Sequence, residues 1–294
     1  MESNPLVTIN ILSFNRKNDL FNTLMKVYEQ DYQNIEVIVV DNASVDGTQA
    51  MVHSSFPKVR LIELQKNIGI AGWNEGFKAA KGDYILVLDD DSYPANDTLF
   101  KTIPMIVQNK ECGILTLKVF NPVLNGYETE MYSITKPLSF VGCGAIIRKN
   151  IFLKVDYFNN LLFLYEHEIE FSMRVVDAGF KIIFSQEGCI VHNLSMLNRQ
   201  IILSVDHRKQ FYTIRNIIIV MFLHFSIHKV FFRIFRIIAG RIFWAIKNKC
   251  LKTTLKGLMA AIKVCIKISN NREVLSKNTQ KYYLYGAYAG GFHF

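Results

Sequence analysis

Residues 83–94 read DYILVLDDDSYP, an apolar run that meets three consecutive carboxylates, Asp89, Asp90 and Asp91, and stops at Pro94. A short apolar run bounded by turn residues reads as a strand buried on both faces. Three adjacent aspartates at its end repel one another, and a nearby cation is the simplest remedy. A solvated acidic turn that caps the following helix is the competing reading of the same residues.

The preceding residues repeat the theme. LVTINILS (6–13), IEVIVVD (35–41) and VRLIEL (59–64) are strand-like, and helical segments separate them. Leu20, Leu24 and Val27 recur at helical spacing, SVDGTQAMVHSSF opens a second helical stretch, and AGWNEGFKAA begins a third. Apolar strands alternating with short helices predict an α/β fold with a mostly parallel sheet covered on both faces. Ligands of such sheets bind beyond the carboxyl ends of the strands. Ser13 with Asn15, Asp41 with Asn42, and Asp89 to Asp91 are therefore expected to converge on one crevice. Neither G-x-G-x-x-G nor G-x-x-x-x-G-K-[ST] occurs, so no glycine cradle holds a nucleotide there. A metal must then help with its phosphates, and Asp89 and Asp91 are the natural ligands. Carboxylate oxygens suit Mg²⁺ or Mn²⁺.

The chain has 294 residues, of which 50% are hydrophobic, enough for a large core and incompatible with a disordered protein. Its five cysteines form no C-x-x-C pair, so neither a disulfide framework nor a cysteine zinc site is indicated, and a reduced cytosolic setting is expected. The N-terminal MESNPLVTIN shows no secretory signal. The net charge of +9 is uneven: residues 1–200 sum to −5 and residues 201–294 to +14. A mildly acidic body thus carries a basic tail suited to an anionic surface.

TINILSFNR, VIVVDNASVDGT, NIGIAGWNEGFKAAKGDYILVLDDD and HEIEFSMRVVDAGFKI, in that order, resemble an inverting family 2 glycosyltransferase of the GT-A fold. The likeness covers roughly residues 5–195 and is greatest to the bacterial rhamnosyltransferase-like and galactofuranosyltransferase-like members that build surface polysaccharides. It implies that Asp41 accepts a hydrogen bond from a pyrimidine ring, with Ser13 and Asn15 flanking the base and Asn67 and Asn74 also near the nucleotide. The DDD stretch becomes the DXD element: Asp91 contacts the metal directly, and Asp89 lies near the ribose and the metal shell. Gly142 and Gly144, in FVGCGAIIRKN (140–150), face the donor sugar and acceptor, although a sheet-edge strand with a glycine bulge reads equally well. Aligned on FSMR, the segment EHEIEFSMRVVDAGF (166–180) puts Glu168 in the place of the catalytic base. There the usual aspartate is a glutamate and the residue before it is His167. A shift of one place transfers the role to Glu166. Glu170 and Arg174, at i and i+4, read as a helix-surface ion pair. His192, at the end of GCIVHN, completes the metal site by resemblance; a lone histidine after a strand can also be purely structural.

After residue 200 large apolar residues mix with bases. The longest run without Asp, Glu, Lys or Arg, Asn216–His228, is 13 residues, short of the ~20 that span a bilayer. Lys229, Arg233 and Arg236 share one helical face while Phe231, Ile234, Phe235 and Ile238 occupy others. That is the composition of a helix lying in the plane of an anionic membrane, or of a helical cap on the body or on a second copy. Nucleic acid is not indicated. The expected organisation is a GT-A domain over 1–200 and a basic, membrane-associating or oligomerising helical region over 201–294. The expected activity is transfer of a sugar from a UDP- or dTDP-linked donor to a glycan or lipid-linked glycan, at the inner face of the cytoplasmic membrane. A nucleotidyltransferase and an inactive scaffold of the same fold are the alternatives.

Overall fold

The computed structural model describes residues 4–128, 137–193 and 206–285. β1 (Val7–Ser13), α1 (Lys17–Tyr28), β2 (Ile35–Asp41), α2 (Thr48–Ser55), β3 (Arg60–Glu63), α3 (Trp73–Ala79) and β4 (Tyr84–Asp89) alternate as the sequence predicts. β5 (Ser92–Pro94), α4 (Thr98–Gln108), β6 (Cys112–Asn121), β7 (Gly126–Tyr127), β8 (Ala145–Arg148), α5 (Phe152–Val155), α6 (His167–Asp177) and β9 (Lys181–His192) complete the sheet and its flanks. α7 (His207–His224), α8 (Ile227–Lys247), α9 (Leu251–Lys267) and α10 (Lys277–Tyr285) follow.

The described strands form one sheet in the order β3-β2-β1-β4-β8-β6-β9-β5, with β7 paired to β6. β3 through β4 are parallel. β8 runs antiparallel to both β4 and β6, so the second half of the sheet is mixed. Residues 145–148 therefore lie in the middle of the sheet, which corrects the sheet-edge reading of FVGCGAIIRKN.

The strands alternate as the pleat requires. Ile85 and Val87 of β4 enter one core with Trp73 and Phe77 of α3, Phe171 of α6 and Ile214 of α7. Leu86 and Leu88 enter the other with Leu20 and Leu24 of α1, Val52 of α2 and Ile103 of α4. α3 lies so close to β1 that a Cβ on Gly76 would come within 1.9 Å of the Asn10 side chain, whose amide donates to the Trp73 carbonyl at 3.0 Å. Gly76 thus serves helix–sheet packing, not passage of a ligand.

The chain runs outward from β1 to β3 and then returns to lay β4 on the other side of β1. This reversal opens a crevice at the carboxyl ends of β1 and β4. The register brings Ser13 opposite Asp41 and Leu12 opposite Asp89 at that edge. The expected domain boundary near residue 200 lies outside the described residues, as do residues 286–294. The helices after it share the buried core of the sheet: Ile214, Ile218 and Leu223 of α7 and Tyr283 of α10 belong to it.

α6 is tied to this helical region by a buried charge cluster. Glu170 is 0% exposed, so it is not part of the surface pair expected from its spacing to Arg174. Its carboxylate accepts from Arg174 Nε at 2.9 Å and Nη2 at 2.8 Å, from His224 Nε2 at 2.8 Å and from Asn159 Nδ2 at 3.2 Å. Burial opposes its charge, but Arg174 and His224 outweigh burial and hold its pKa down to about 2. Glu170→Ala is expected to cost about 3–5 kcal/mol in urea unfolding, because it strands Arg174 in the interior without its partner. A loss below about 1 kcal/mol would show that the cluster does not anchor α6.

Candidate active site

A crevice of about 370 Å³ opens at the β1–β4 switch point, and Ser13, Asn67, Asp89, Gly142, Glu168 and His192 line it. The three carboxylates of the opening stretch have separate fates there. Ser92 closes the β4–β5 turn, donating from its hydroxyl to the Asp89 carbonyl at 3.1 Å and accepting from the Asp89 N–H at 2.9 Å. Asp91 is held on both sides, by Arg16 at one carboxylate oxygen and by His192 Nε2 at 3.2 Å from the other. Asp90 accepts from the Phe14 N–H at 3.2 Å and lies 3.5 Å from Arg16. Among the described residues no donor reaches the Asp89 carboxylate. Burial and the neighbouring Asp91 push its pKa to about 6. Asp91 moves the other way: His192 and Arg16 outweigh its burial and lower its pKa.

His192 is braced from behind. Its Nδ1 sits 3.0 Å from Glu128, a residue of the β7 hairpin that the sequence did not single out, and Asn121 donates to the same carboxylate at 2.7 Å. Burial opposes protonation of His192, but Cys143, Asp91 and Glu128 outweigh it and raise its pKa.

Glu168 lies in the first turn of α6 and lines the crevice, whereas Glu166, the N-cap, does not. Burial lifts the Glu168 pKa to about 7. His167 beneath it is stacked on Trp73 at 5.7 Å, with Nδ1 3.1 Å from the Glu168 carboxylate. Burial pushes the His167 pKa down to about 3, so the imidazole stands neutral beside the glutamate. Gly142 faces the pair: a Cβ there would stand 3.1 Å from Glu168 Oε1. Gly144 instead packs against β6, where a Cβ would meet Val119 at 2.6 Å. Tyr165 and Glu166, just before α6, both have left-handed backbone (φ 63° and 65°), a costly arrangement for residues with side chains. Asn216 of α7 holds this turn by donating to the Leu164 and Tyr165 carbonyls at 2.6 and 3.0 Å. Arg215 donates to the Leu161 carbonyl at 2.9 Å, which gives the Arg215–Asn216 pair a positioning role.

The nucleotide side is uneven. Asp41 is fully buried: Oδ2 accepts from the Ser44 N–H at 3.0 Å and from Gln49 Nε2 at 2.6 Å. Its Oδ1 and the Ser13 hydroxyl are buried without a partner. Asn67 lines the crevice and accepts from the Gly69 N–H at 2.8 Å. Two expectations are corrected. Asn74 is turned into the core, its amide exchanging hydrogen bonds of 2.8 and 3.0 Å with the Phe158 backbone. Asn15 is exposed and braces the turn after β2 by accepting from the Val45 N–H at 2.8 Å. Both pair with backbone, which is what asparagine in turns and helix starts commonly does.

The glycosyl transferase family 2 sequence pattern matches residues 8–162. An uncharacterized glycosyltransferase of Haemophilus influenzae is 35% identical over 109 residues, covering 36% of this chain and 44% of that one. A UDP-Glc:alpha-D-GlcNAc-diphosphoundecaprenol beta-1,3-glucosyltransferase of Escherichia coli is 37% identical over 149 residues, covering 49% and 56%. The chain thus spans about half the length of these two curated relatives. Among solved structures, the mannosyltransferase PcManGT of Pyrobaculum calidifontis, in complex with GDP-Man and Mn²⁺, superposes with a TM-score of 0.60 at 17% identity, covering 99% of this chain and 82% of that one. Residues 1–349 of Staphylococcus aureus TarS in complex with UDP superpose with a TM-score of 0.57 at 20% identity, covering 73% and 65%. These likenesses establish the fold. The family pattern covers more than half of the sequence, and the chain belongs to glycosyltransferase family 2.

Proposed function

We propose that the protein transfers a sugar, with inversion, from a UDP- or dTDP-linked donor to a glycan or lipid-linked glycan in cell-surface polysaccharide synthesis. The observation that carries this reading is the convergence of Asp89, His192 and Glu168 on one crevice at the sheet's switch point. Asp41 Oδ1 is buried without a hydrogen-bond partner, opposite Ser13 in the register, and a pyrimidine N3–H that reached it would supply the missing donor. The donor set fits Mg²⁺ or Mn²⁺: carboxylate oxygens of Asp89 and Asp91 with one imidazole, Asp89 having no cationic partner of its own. When bound, the metal neutralises the charge that grows on the diphosphate as it leaves.

The chain's own residues do the rest. Glu168 accepts the proton of the acceptor hydroxyl while that oxygen bonds to the anomeric carbon and the bond from that carbon to the diphosphate breaks. Neutral His167 keeps a second charge away from Glu168, and Gly142 leaves room over its carboxylate. Arg208 of α7 also lines the crevice and offers a cation to the leaving group.

The two curated relatives and the resemblance favour a glycosyltransferase over a nucleotidyltransferase or an inactive scaffold, and nucleotide binding tests the metal–nucleotide part of that reading. UDP or dTDP with Mn²⁺ should raise the melting temperature, by about 2.7 kcal/mol of stabilisation at a hundredfold excess over Kd. Asp91→Ala should abolish the shift. No shift with UDP, dTDP, GDP or ADP removes the metal–nucleotide reading. Glu168→Gln should lower kcat about 10²- to 10⁴-fold with UDP binding kept, and Glu166→Gln should stay near wild type. The reverse result moves the base to Glu166.

Wild-type kcat should climb with pH and level off above about 7, the pKa of the base. Because that value exceeds the ordinary carboxyl 4.5, the native state holds the proton more tightly than the unfolded chain. The Glu168 contribution to stability therefore falls as pH rises from 4.5 to about 7, opposite to activity.

A peripheral site at the inner face of the cytoplasmic membrane accounts for the tail. α8 and α9 contain no acidic residue, and Phe231, Phe232 and Phe235 are 62%, 77% and 66% exposed among the bases. No described helix is long and apolar enough to cross a membrane, and an apolar, cationic surface complements an anionic leaflet. The protein should co-sediment with phosphatidylglycerol vesicles, less so at high salt, and a Phe231→Ser, Phe232→Ser, Phe235→Ser variant should not. Self-association without vesicle binding would give this face to a second copy.

A further inference from the structure

The crevice contains a sulfur that the transferase reading does not use. One carboxylate oxygen of Asp89, the Cys143 sulfur and a ring nitrogen of His192 all lie within 4.8 Å of one another. They come from three places in the chain: the end of β4, the turn before β8 and the end of β9. Sheet order brings them together, with β8 beside β4, β6 beside β8 and β9 beside β6. Cys143 is 1% exposed, yet it borders the crevice with the other two. The flanking Gly144 is pressed onto β6, which fixes the turn that carries the thiol.

We propose that Asp89, Cys143 and His192 form a binding site for a thiophilic divalent cation of the Zn²⁺ class. The chemistry of the three ligands selects the ion. Mg²⁺ is a hard cation that takes oxygen ligands, whereas a thiolate, an imidazole and one carboxylate match a borderline-soft ion. Three protein ligands leave a fourth position open toward the crevice, the arrangement of zinc sites that bind water or substrate. Glu128 engages His192 Nδ1 at 3.0 and 3.1 Å, so Nε2, now 3.2 Å from Asp91 Oδ1, is the nitrogen that would exchange that ion pair for the metal, backed by a carboxylate as ligating histidines usually are. On binding, the Cys143 thiol and any proton on Nε2 give up their protons to bulk solvent, and the metal–sulfur and metal–nitrogen bonds form in their place.

Asp89 and His192 are shared with the cation site of the transferase reading. On that reading, a bound thiophilic ion excludes Mg²⁺ or Mn²⁺ and regulates donor binding.

The test is optical titration of the full chain with Co²⁺, whose bonds to thiolate give a near-ultraviolet charge-transfer absorption. The wild type should develop that band to saturation at one equivalent, and Zn²⁺ should displace it. Cys143→Ser should lose the band, and Cys265→Ser, on α9, should keep it. Glu128→Gln should weaken Zn²⁺ binding about 10- to 100-fold by calorimetry. A wild type without the band overturns the proposal whether or not any variant folds, and so does a band that survives Cys143→Ser. Melting with UDP and Mn²⁺, on the chain freed of Co²⁺ and Zn²⁺ by chelation, reports separately on the transferase reading. Stabilisation without the band removes only the thiophilic site. If the band forms and the chain freed of Co²⁺ and Zn²⁺ by chelation shows no stabilisation either, the thiophilic site stands and the transferase account is removed; stabilisation lost only in the loaded chain is the expected exclusion.

Discussion

Three carboxylates cannot crowd the end of a buried strand unless something answers their charge, and the geometry around Asp89–Asp91 follows from that constraint. Arg16, in the turn after β1, meets Asp90 and Asp91. His192, at the end of β9, meets Asp91 from the other side. Two segments distant in sequence are thereby drawn to one point, and Glu128 is drawn in behind His192. Among the described residues, Asp89 alone of the three makes no ion pair. It lines the crevice at the point where the proposed metal and diphosphate would complete the balance.

The second anchor lies on the other side of the crevice. Glu168 stands on a helix start whose preceding turn is strained at Tyr165 and Glu166. Strain of that kind persists only where surroundings over-determine it. Here Asn216 holds the carbonyls of the turn, and Glu170, paired with Arg174 of the same helix, locks that helix to His224 of α7. Burial raises the Glu168 pKa toward neutrality, while the same burial around Glu170 is outweighed by its cations. Two glutamates two residues apart therefore take opposite characters, one a proton acceptor near pH 7 and the other a permanent charge.

The sequence made the first four strands legible because each is an apolar run closed by a polar residue, and the ends of those runs located Ser13, Asp41 and Asp89. Glu168 and His192 were legible through motif order. Arg16, Glu128 and Cys143 were not, because their relevance depends on which strands pair, and the antiparallel insertion of β8 between β4 and β6 leaves no periodic signal. The absence of a C-x-x-C pair said nothing about Cys143, since its neighbours come from β4 and β9. Asn15 and Asn74 were misplaced for a different reason. An asparagine after a strand or near a helix start looks the same in sequence whether it serves a ligand or the backbone. The buried state of Glu170 was equally hidden, because spacing of i and i+4 fixes which residues face each other but not whether water reaches them.

The clasp of Asn216 on the turn before α6 reaches across 52 residues of sequence. A ribosome makes Glu168 well before it makes the side chain that sets it. During synthesis, the strand ends that line the crevice from Ser13 to Asp89 are complete in sequence while Glu168 still lacks its support. The same helical region that holds the base leads directly into the apolar, cationic helices α8 and α9. On the membrane reading proposed above, the support for Glu168 would thus be made just before the surface that meets the leaflet.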